Sequence, residues 1–280
     1  MTDLTTYVIN LDGSNDRLNS ATAHLNAAGI EFERHSAFDG RRMDPLECTD
    51  YDEERAISWF GRKLTGGEIG CYLSQIEVAR RIVDGNADFG LVLEDDLTIQ
   101  GDARGVLDQV IDFLTPTDGP PPACMVNLGR PVKRFYTPIL DLDAEDTQLC
   151  HAPYFPDTNT AVLWSAKAAR AFLDAAFPIY MPVDHLLRRW GAENGIGLGL
   201  TRVPFTPSGT SSEIDSTKSR GDVGRARFYH LRKHRRLWIN KQAAKRKMAA
   251  FQSSQDICGL DVLGGKLDQR TDFARQATPL

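Results

Sequence analysis

"FGLVLEDDLTI", residues 89–99, places four apolar side chains in front of three consecutive carboxylates, Glu94, Asp95 and Asp96. A short apolar run of this kind reads as a buried strand. Three like charges at its end repel one another unless something positive sits among them. In an open α/β sheet, ligands bind beyond the carboxyl ends of strands, so the triplet marks a candidate site as well as a strand end.

The segments on either side alternate between helix and strand patterns. Upstream, "LTGGEIGCYLSQIEVARRIVDG" (64–85) feeds a helix in which Ile69, Leu73, Ile76, Ala79 and Val83 share a face, and Gly85 ends it. Nearer the start, "TYVINL" (6–11) is rich in β-formers and "DGSND" is turn chemistry. Leu18, Ala21, Leu25 and Ala28 then recur at helical spacing until Gly29, and "IEFERHSAF" (30–38) follows with partial alternation. The opening unit is thus strand, helix, strand, and a parallel crossover is expected.

Downstream, the pattern predicts a helix over about 103–114, a break at "PPP" (120–122) and a strand at "CMVNLG" (124–129). "YFPDTNTAVLWS" (154–165) offers another strand, "AKAARAFLDAAF" a helix, and "YMPVDHLLRRW" (180–190) a helix that opens around Asp184. "IGLGLTRVPFT" (196–206) gives a last strand, followed by the polar "PSGTSSEIDSTKSRGD", which reads either as a loop closing over a ligand or as a linker. The alternation points to an α/β layered fold, a mixed but mostly parallel sheet flanked by helices.

With 280 residues, 41% of them hydrophobic, the chain can bury a substantial core. No apolar run reaches the length of a membrane span, and "MTDLTTYVINLD" lacks the features of a signal peptide, so a cytoplasmic location is expected. Five cysteines without a C-x-x-C pair argue for packed thiols rather than a disulfide framework or a zinc knuckle. Residues 225–247 carry ten Lys or Arg and no acid, so the rest of the chain holds −15, the total of −5 less those ten charges. That acidic remainder argues against nucleic acid as a partner. The basic segment interleaves its cations with Phe228, Tyr229, Leu231, Leu237, Trp238 and Ile239. It reads either as a surface for an anionic membrane or as a solvated helix packed by its apolar side. The division expected is a catalytic-type domain over 1–222 and a basic helical extension over 223–280.

Adjacent carboxylates call for a cation, and oxygen-only ligands favour Mg²⁺ or Mn²⁺ over zinc. Asp96, the last acid, is the first candidate for direct coordination and Glu94 the second, the two sharing a face if the strand extends that far, with Asp95 left for ligand hydroxyls or a water bridge. The plainer alternative is one helix-capping acid and two solvated ones.

Read together, "YVINLDGSNDR", "LTGGEIGCYLSQ", "LVLEDD" and "MPVD" resemble, in that order, glycosyltransferase family 25, which includes bacterial lipooligosaccharide galactosyltransferases and collagen galactosyltransferases. The resemblance runs from about residue 5 to about residue 220. It implies a GT-A-like fold and an inverting transfer of a sugar, usually galactose, from a UDP donor with Mn²⁺ (or Mg²⁺) to a lipopolysaccharide or other glycan acceptor. For an enzyme that builds surface glycans, the membrane reading of residues 225–247 would mean a peripheral position at the inner face of the cytoplasmic membrane.

The resemblance places Asp184, in "MPVD", as the base, a role that inversion assigns to a carboxylate; a helix N-cap is the alternative. It places Asn10 and Arg17 at the nucleotide edge, where the Arg17 guanidinium either pairs a phosphate or merely braces Asp12 and Asp16. Asp39 and Gly40 match an Asp-Gly that serves either ribose and uracil or a plain turn. Glu68 and Ser74 lie on the glycine-rich helix segment, where capping and packing compete with donor binding. The chain departs from the family at Ser74-Gln75, where many relatives carry Ser-His, since Gln does not titrate near neutrality. A non-catalytic binding relative and a Mg²⁺-dependent phosphotransferase are the rival readings; the latter lacks a G-x-x-x-x-G-K-[ST] loop.

Overall fold

The computed structural model describes residues 3–209 and 228–254, together with two-residue strands at 256–257 and 260–261. Most of the polar stretch 207–222 and the start of the basic segment therefore lie outside the described residues. The chain opens with β1 (Leu4–Asn10), α1 (Asn15–Ala27) and β2 (Glu33–Ser36). A one-turn helix α2 (Glu53–Arg55) runs into a π-helical turn (Ala56–Phe60), and the long α3 (Gly66–Asp84) leads to β3 (Phe89–Glu94). Then come β4 (Leu97–Ile99), α4 (Ala103–Leu114), β5 (Met125–Asn127), β6 (Thr137–Asp141), β7 (Gln148–His151) and β8 (Ala161–Ser165). The last elements of the sheet domain are α5 (Ala166–Ala175), α6 (Val183–Asn194), β9 (Gly197–Leu200) and β10 (Phe205–Pro207), and α7 (Tyr229–Ser254) follows.

Eight strands form the main sheet in the order β2-β1-β3-β8-β5-β9-β7-β6. β1 pairs parallel with both β2 and β3, and β5 pairs parallel with β9, whereas β8 runs against its neighbours β3 and β5, and β7 against β9 and β6. Six strands therefore point one way and only β8 and β7 are reversed, so the sheet is mixed and mostly of one direction. The expected β1-α1-β2 parallel crossover is present.

Alternation along the strands splits the core into two layers. Leu91, Leu93, Leu163 and Val126 face α1 and α4, whereas Val92, Val162, Trp164 and Met125 face α3, α5 and α6. With apolar side chains on both faces, β3 reads as a continuous apolar run, as strands covered on both sides do.

α7 is docked on this body. Arg232 donates to the carbonyl of Ile57. Arg236 donates to that of Phe60 at 2.6 Å and lies over the Phe60 ring. Ala244 and Phe251 are buried, and Phe251 stacks on His151 at 4.3 Å between centroids. The basic segment therefore packs by one side, but that side includes Arg236 and Asn240 beside Ala244 and Phe251, whereas Leu231 and Trp238, which packing by an apolar side would cover, are exposed. No described helix is long and apolar enough to cross a membrane. Among the described residues, Cys48, Cys71, Cys124 and Cys150 form no disulfide.

Candidate active site

A cavity of about 280 Å³ opens beyond the carboxyl ends of β1 and β3. Arg17, Asp39, Gly40, Glu68, Ser74, Glu94, Asp95, Asp96 and Asp184 all line it. Of the residues expected at the site, only Asn10 does not. It is 2% exposed at the end of β1 and braces the site from behind.

The positive charge among the three acids is Arg17, from the first turn of α1. Its Nη2 lies 2.6 Å from Asp95 Oδ1 and 3.3 Å from Asp96 Oδ2. Asn10 Nδ2 donates to Asp95 Oδ2 at 2.7 Å, while Asn10 Oδ1 accepts from Arg34 Nε at 2.9 Å. Both oxygens of Asp95 are thus engaged by protein donors, which makes it a brace for the turn rather than the group left for donor hydroxyls or water. The strand ends at Glu94, and Asp95 and Asp96 form the turn into β4.

Arg17 does not neutralise the whole cluster. Asp96 Oδ1 is buried and has no hydrogen-bond partner among the described residues. The Glu94 carboxyl is pushed up to about 8, first by burial and then by the charges of Asp96, Asp184 and Asp95, with Arg17 pulling the other way. An orphaned buried carboxylate oxygen beside a carboxyl that resists ionising is an environment short of positive charge. A hard divalent cation fits it. Among the described residues, no three His, Cys, Asp or Glu side chains converge into a ready metal cage. Such an ion would therefore be held by Asp96 and Glu94 and completed by ligand oxygens, the arrangement usual for Mg²⁺-type ions on substrate phosphates.

Asp184 lines the same cavity, near enough for its charge to help raise the Glu94 carboxyl. α6 has Pro182 as its N-cap residue and Asp184 in its first turn, where the helix dipole favours a carboxylate. Asp184 Oδ1 accepts from the His185 backbone N–H at 2.9 Å. Asp184 is therefore not the N-cap that the alternative reading supposed. The neighbouring His185 ring packs on Phe60 at 5.2 Å, and burial holds its pKa below the usual histidine value.

Glu68 is a structural carboxylate. It completes a capping box with Thr65 at the start of α3, and both its oxygens meet Arg62, at 2.6 and 2.8 Å. Ser74 Oγ donates to the Gly70 carbonyl at 2.8 Å and accepts from the Phe38 N–H at 2.9 Å, so it fixes the loop after β2. That loop lies directly on α3. A Cβ on Gly40 would come within 1.9 Å of the Gly66 carbonyl oxygen, and one on Gly70 within 2.6 Å of the Phe38 carbonyl oxygen. The glycines permit this close backbone approach, which presents Phe38, Asp39 and Arg41 to the cavity. Arg41 grips Asp39 at 2.7 and 2.8 Å and holds its carboxyl down at about 2. Gln75, where the chain departs from the family, is buried in α3 and outside the cavity lining.

The loop 157–159 completes the site and was missed in the sequence. Asp157 lies 2.7 Å from both Arg188 Nη2 and Arg130 Nη1, and Thr158 and Asn159 stand beside it in the wall. "PDTNT" was read as the start of a strand, but the strand begins at Ala161. Because β8 is antiparallel to β3, its beginning lies beside the end of β3, and the Glu94 N–H donates to the Thr160 carbonyl at 3.0 Å. The signal available in the sequence was a polar stretch directly in front of a buried strand.

Residues 3–118 match the model of glycosyltransferase family 25, described as an LPS biosynthesis protein family. A glycosyltransferase 25 family member of Anopheles gambiae is 32% identical over 98 residues, 34% of this chain and 17% of that protein. Human procollagen galactosyltransferase 2 is 28% identical over 110 residues, 38% of this chain and 18% of that protein. The matched stretch thus spans less than a fifth of these relatives. A crystal structure of a glycosyltransferase involved in glycosylation of the major capsid of PBCV-1 aligns over 84% of this chain and 98% of its own, at 8% identity and a TM-score of 0.36, too low to support any inference. The matched region covers β1 through α4 and contains Arg17, Gly40, Glu68 and the three acids, while Asp157 and Asp184 lie beyond it. The similarity to glycosyltransferase family 25 thus lies in residues 3–118, the part of the chain that carries the acidic turn.

Proposed function

We propose that this chain is a glycosyltransferase that moves a sugar, galactose by its resemblance, from a UDP donor to a hydroxyl of a lipopolysaccharide or other glycan acceptor, with inversion. The observation that carries this reading is the convergence of Glu94, Asp96 and Asp184 on one cavity at the strand ends, in a chain whose residues 3–118 match the family model. Mn²⁺ or Mg²⁺ held by Asp96 and Glu94 would supply charge stabilisation for a departing diphosphate.

The remaining chemistry belongs to side chains. Asp184 takes the proton from the acceptor hydroxyl as that oxygen forms its bond to the anomeric carbon and the bond to the UDP oxygen breaks. Arg17 keeps Asp95 and Asp96 in place and sets a positive group beside the diphosphate. Asp39 with Arg41, on the loop after β2, stand two strands away from the acids, roughly 10 Å by strand spacing, a separation suited to the nucleoside end of the donor.

One observation favours a second reading, a nucleotide- or glycan-binding relative without turnover: Arg17 already compensates part of the acidic cluster without a metal. Following UDP release from UDP-galactose and UDP-glucose, with and without Mn²⁺, separates the two. Slow, Mn²⁺-dependent donor hydrolysis supports the transferase. Donor binding with no release under any metal supports the binding relative.

A further inference from the structure

α7 has an outward face unlike the rest of the surface. Leu231 is 68% exposed and Trp238 61% exposed. They stand seven residues apart, and a further seven bring Lys245, so all three fall nearly in line along the helix. Arg235 and Arg246 flank that line, and both are exposed. The opposite side carries Arg236, Asn240, Ala244 and Phe251, all buried against the domain. The helix has eight Lys or Arg and no acid.

A second segment of the same chemistry adjoins it. The loop "RPVKRFY" (130–136) brings exposed Lys133 and Arg134 next to Tyr136, itself 37% exposed, and again has no acid. Lys245 Nζ sits 5.6 Å from the Phe135 ring centroid, so the end of the α7 stripe and this loop form one continuous surface. That surface leads to the cavity. Phe135 packs edge-on to Tyr154, Arg188 lies over Tyr154, and Arg188 pairs with Asp157 in the cavity wall.

We infer that the outward face of α7, together with the loop 130–136, seats on an anionic lipid bilayer and holds the Asp157 side of the cavity at the membrane interface. Exposed Leu and Trp set in line among cations are what a helix lying in the headgroup region presents, apolar groups at the acyl boundary and Lys or Arg at the phosphates. The charge is complementary to such a surface and opposite to that of the remaining chain, whose strong negative balance would be repelled elsewhere on the bilayer. The seating does not depend on which reaction the cavity performs.

The test is co-sedimentation of the full chain with vesicles of phosphatidylcholine alone and with about 30% phosphatidylglycerol added, at low and high salt. Binding is expected only with the anionic lipid, weakening as salt rises, with a blue shift of tryptophan emission that Trp238→Ser removes. Leu231→Ser with Trp238→Ser should weaken binding at least tenfold. Lys133→Gln, Arg134→Gln and Lys245→Gln together should weaken it by more, at about fivefold for each cation lost. All these side chains are exposed, and unchanged thermal melts would show that the fold survives. Equal binding to neutral vesicles, no binding to either, or variants that bind as the parent does would overturn the inference. So would self-association in sedimentation velocity that the Leu231→Ser, Trp238→Ser pair abolishes, or binding of a single-stranded RNA tighter than that of anionic vesicles.

Discussion

Replacing Arg17 tests whether a side chain, rather than a ligand, holds the acidic turn together. Arg17→Met removes the guanidinium that lies 2.6 Å from Asp95, whose side chain is only 8% exposed. Breaking a fully buried ion pair by removing one partner costs about 3–5 kcal/mol; Arg17 here is one-fifth exposed and Asp95 keeps the Asn10 bond, so a cost of about 2–3 kcal/mol is expected. For a domain of this size that lowers Tm by roughly 6 °C. Asp95→Asn in the Arg17→Met background should restore much of the loss, because the charge left stranded is then gone. Urea unfolding of the parent, both single variants and the double variant closes the cycle, with an expected coupling of about 2 kcal/mol. Additive effects, with coupling below about 0.5 kcal/mol, would mean that Arg17 and Asp95 are neighbours without being partners, and the compensation described for the turn would have to be abandoned.

Asp184→Asn should lower sugar transfer by about 10²–10⁴-fold while leaving UDP affinity within a factor of about two, measured by initial rates and calorimetry. Gly40→Ala puts a methyl group 1.9 Å from the Gly66 carbonyl oxygen, so the loop bearing Phe38 and Asp39 must lift from α3; both UDP affinity and Tm should fall, whereas Gly13→Ala, with open space around it, should cost only the strain of its positive φ. His151 Nε2 donates to the Gly195 carbonyl, and its Nδ1 is buried with no partner among the described residues, so burial keeps the ring neutral and its pKa below the usual value. Because the folded-state pKa is depressed, the unfolded chain binds the proton first; stability should be full above about pH 6.5 and fall as the pH drops below it. His151→Gln should flatten that slope in urea unfolding between pH 7.5 and 5, and an unchanged slope would assign the effect to other groups.

The layered fold was legible because β3 and α3 carry unmistakable patterns, an apolar run in one and a helical stripe ended by Gly85 in the other. The predicted helix over 103–114 is the observed α4. The hairpin of β6 and β7 escaped notice because its strands are four or five residues long and hold Pro138, Asp141 and Gln148, which blur any alternation. "IGLGLTRVPFT", taken as one strand, divides into β9 and β10 because Pro204 cannot continue the ladder and Phe205 leaves the main sheet to pair with β4.

The candidate site was legible where the resemblance quoted motifs and hidden where topology decides proximity. Nothing local in "PDTNT" says that β8 runs antiparallel, yet that reversal is what carries Asp157 and Asn159 to the acids. Nor does spacing tell a bracing carboxylate from a liganding one. Asp95 has both oxygens held, by Arg17 and Asn10, and Glu68 has both held by Arg62, whereas Asp96 shares Arg17 through one oxygen and keeps the other without a partner among the described residues.

The central claim, that Asp96 and Glu94 hold a donor diphosphate through a divalent cation, is met most directly by calorimetric titration of UDP into the parent protein and Asp96→Asn, each with and without Mn²⁺. The account predicts binding by the parent that needs Mn²⁺ and is lost in Asp96→Asn while its melting curve stays intact. UDP binding of equal strength without metal, or unaffected by Asp96→Asn, would contradict it and leave the acidic turn a structural device closed by Arg17.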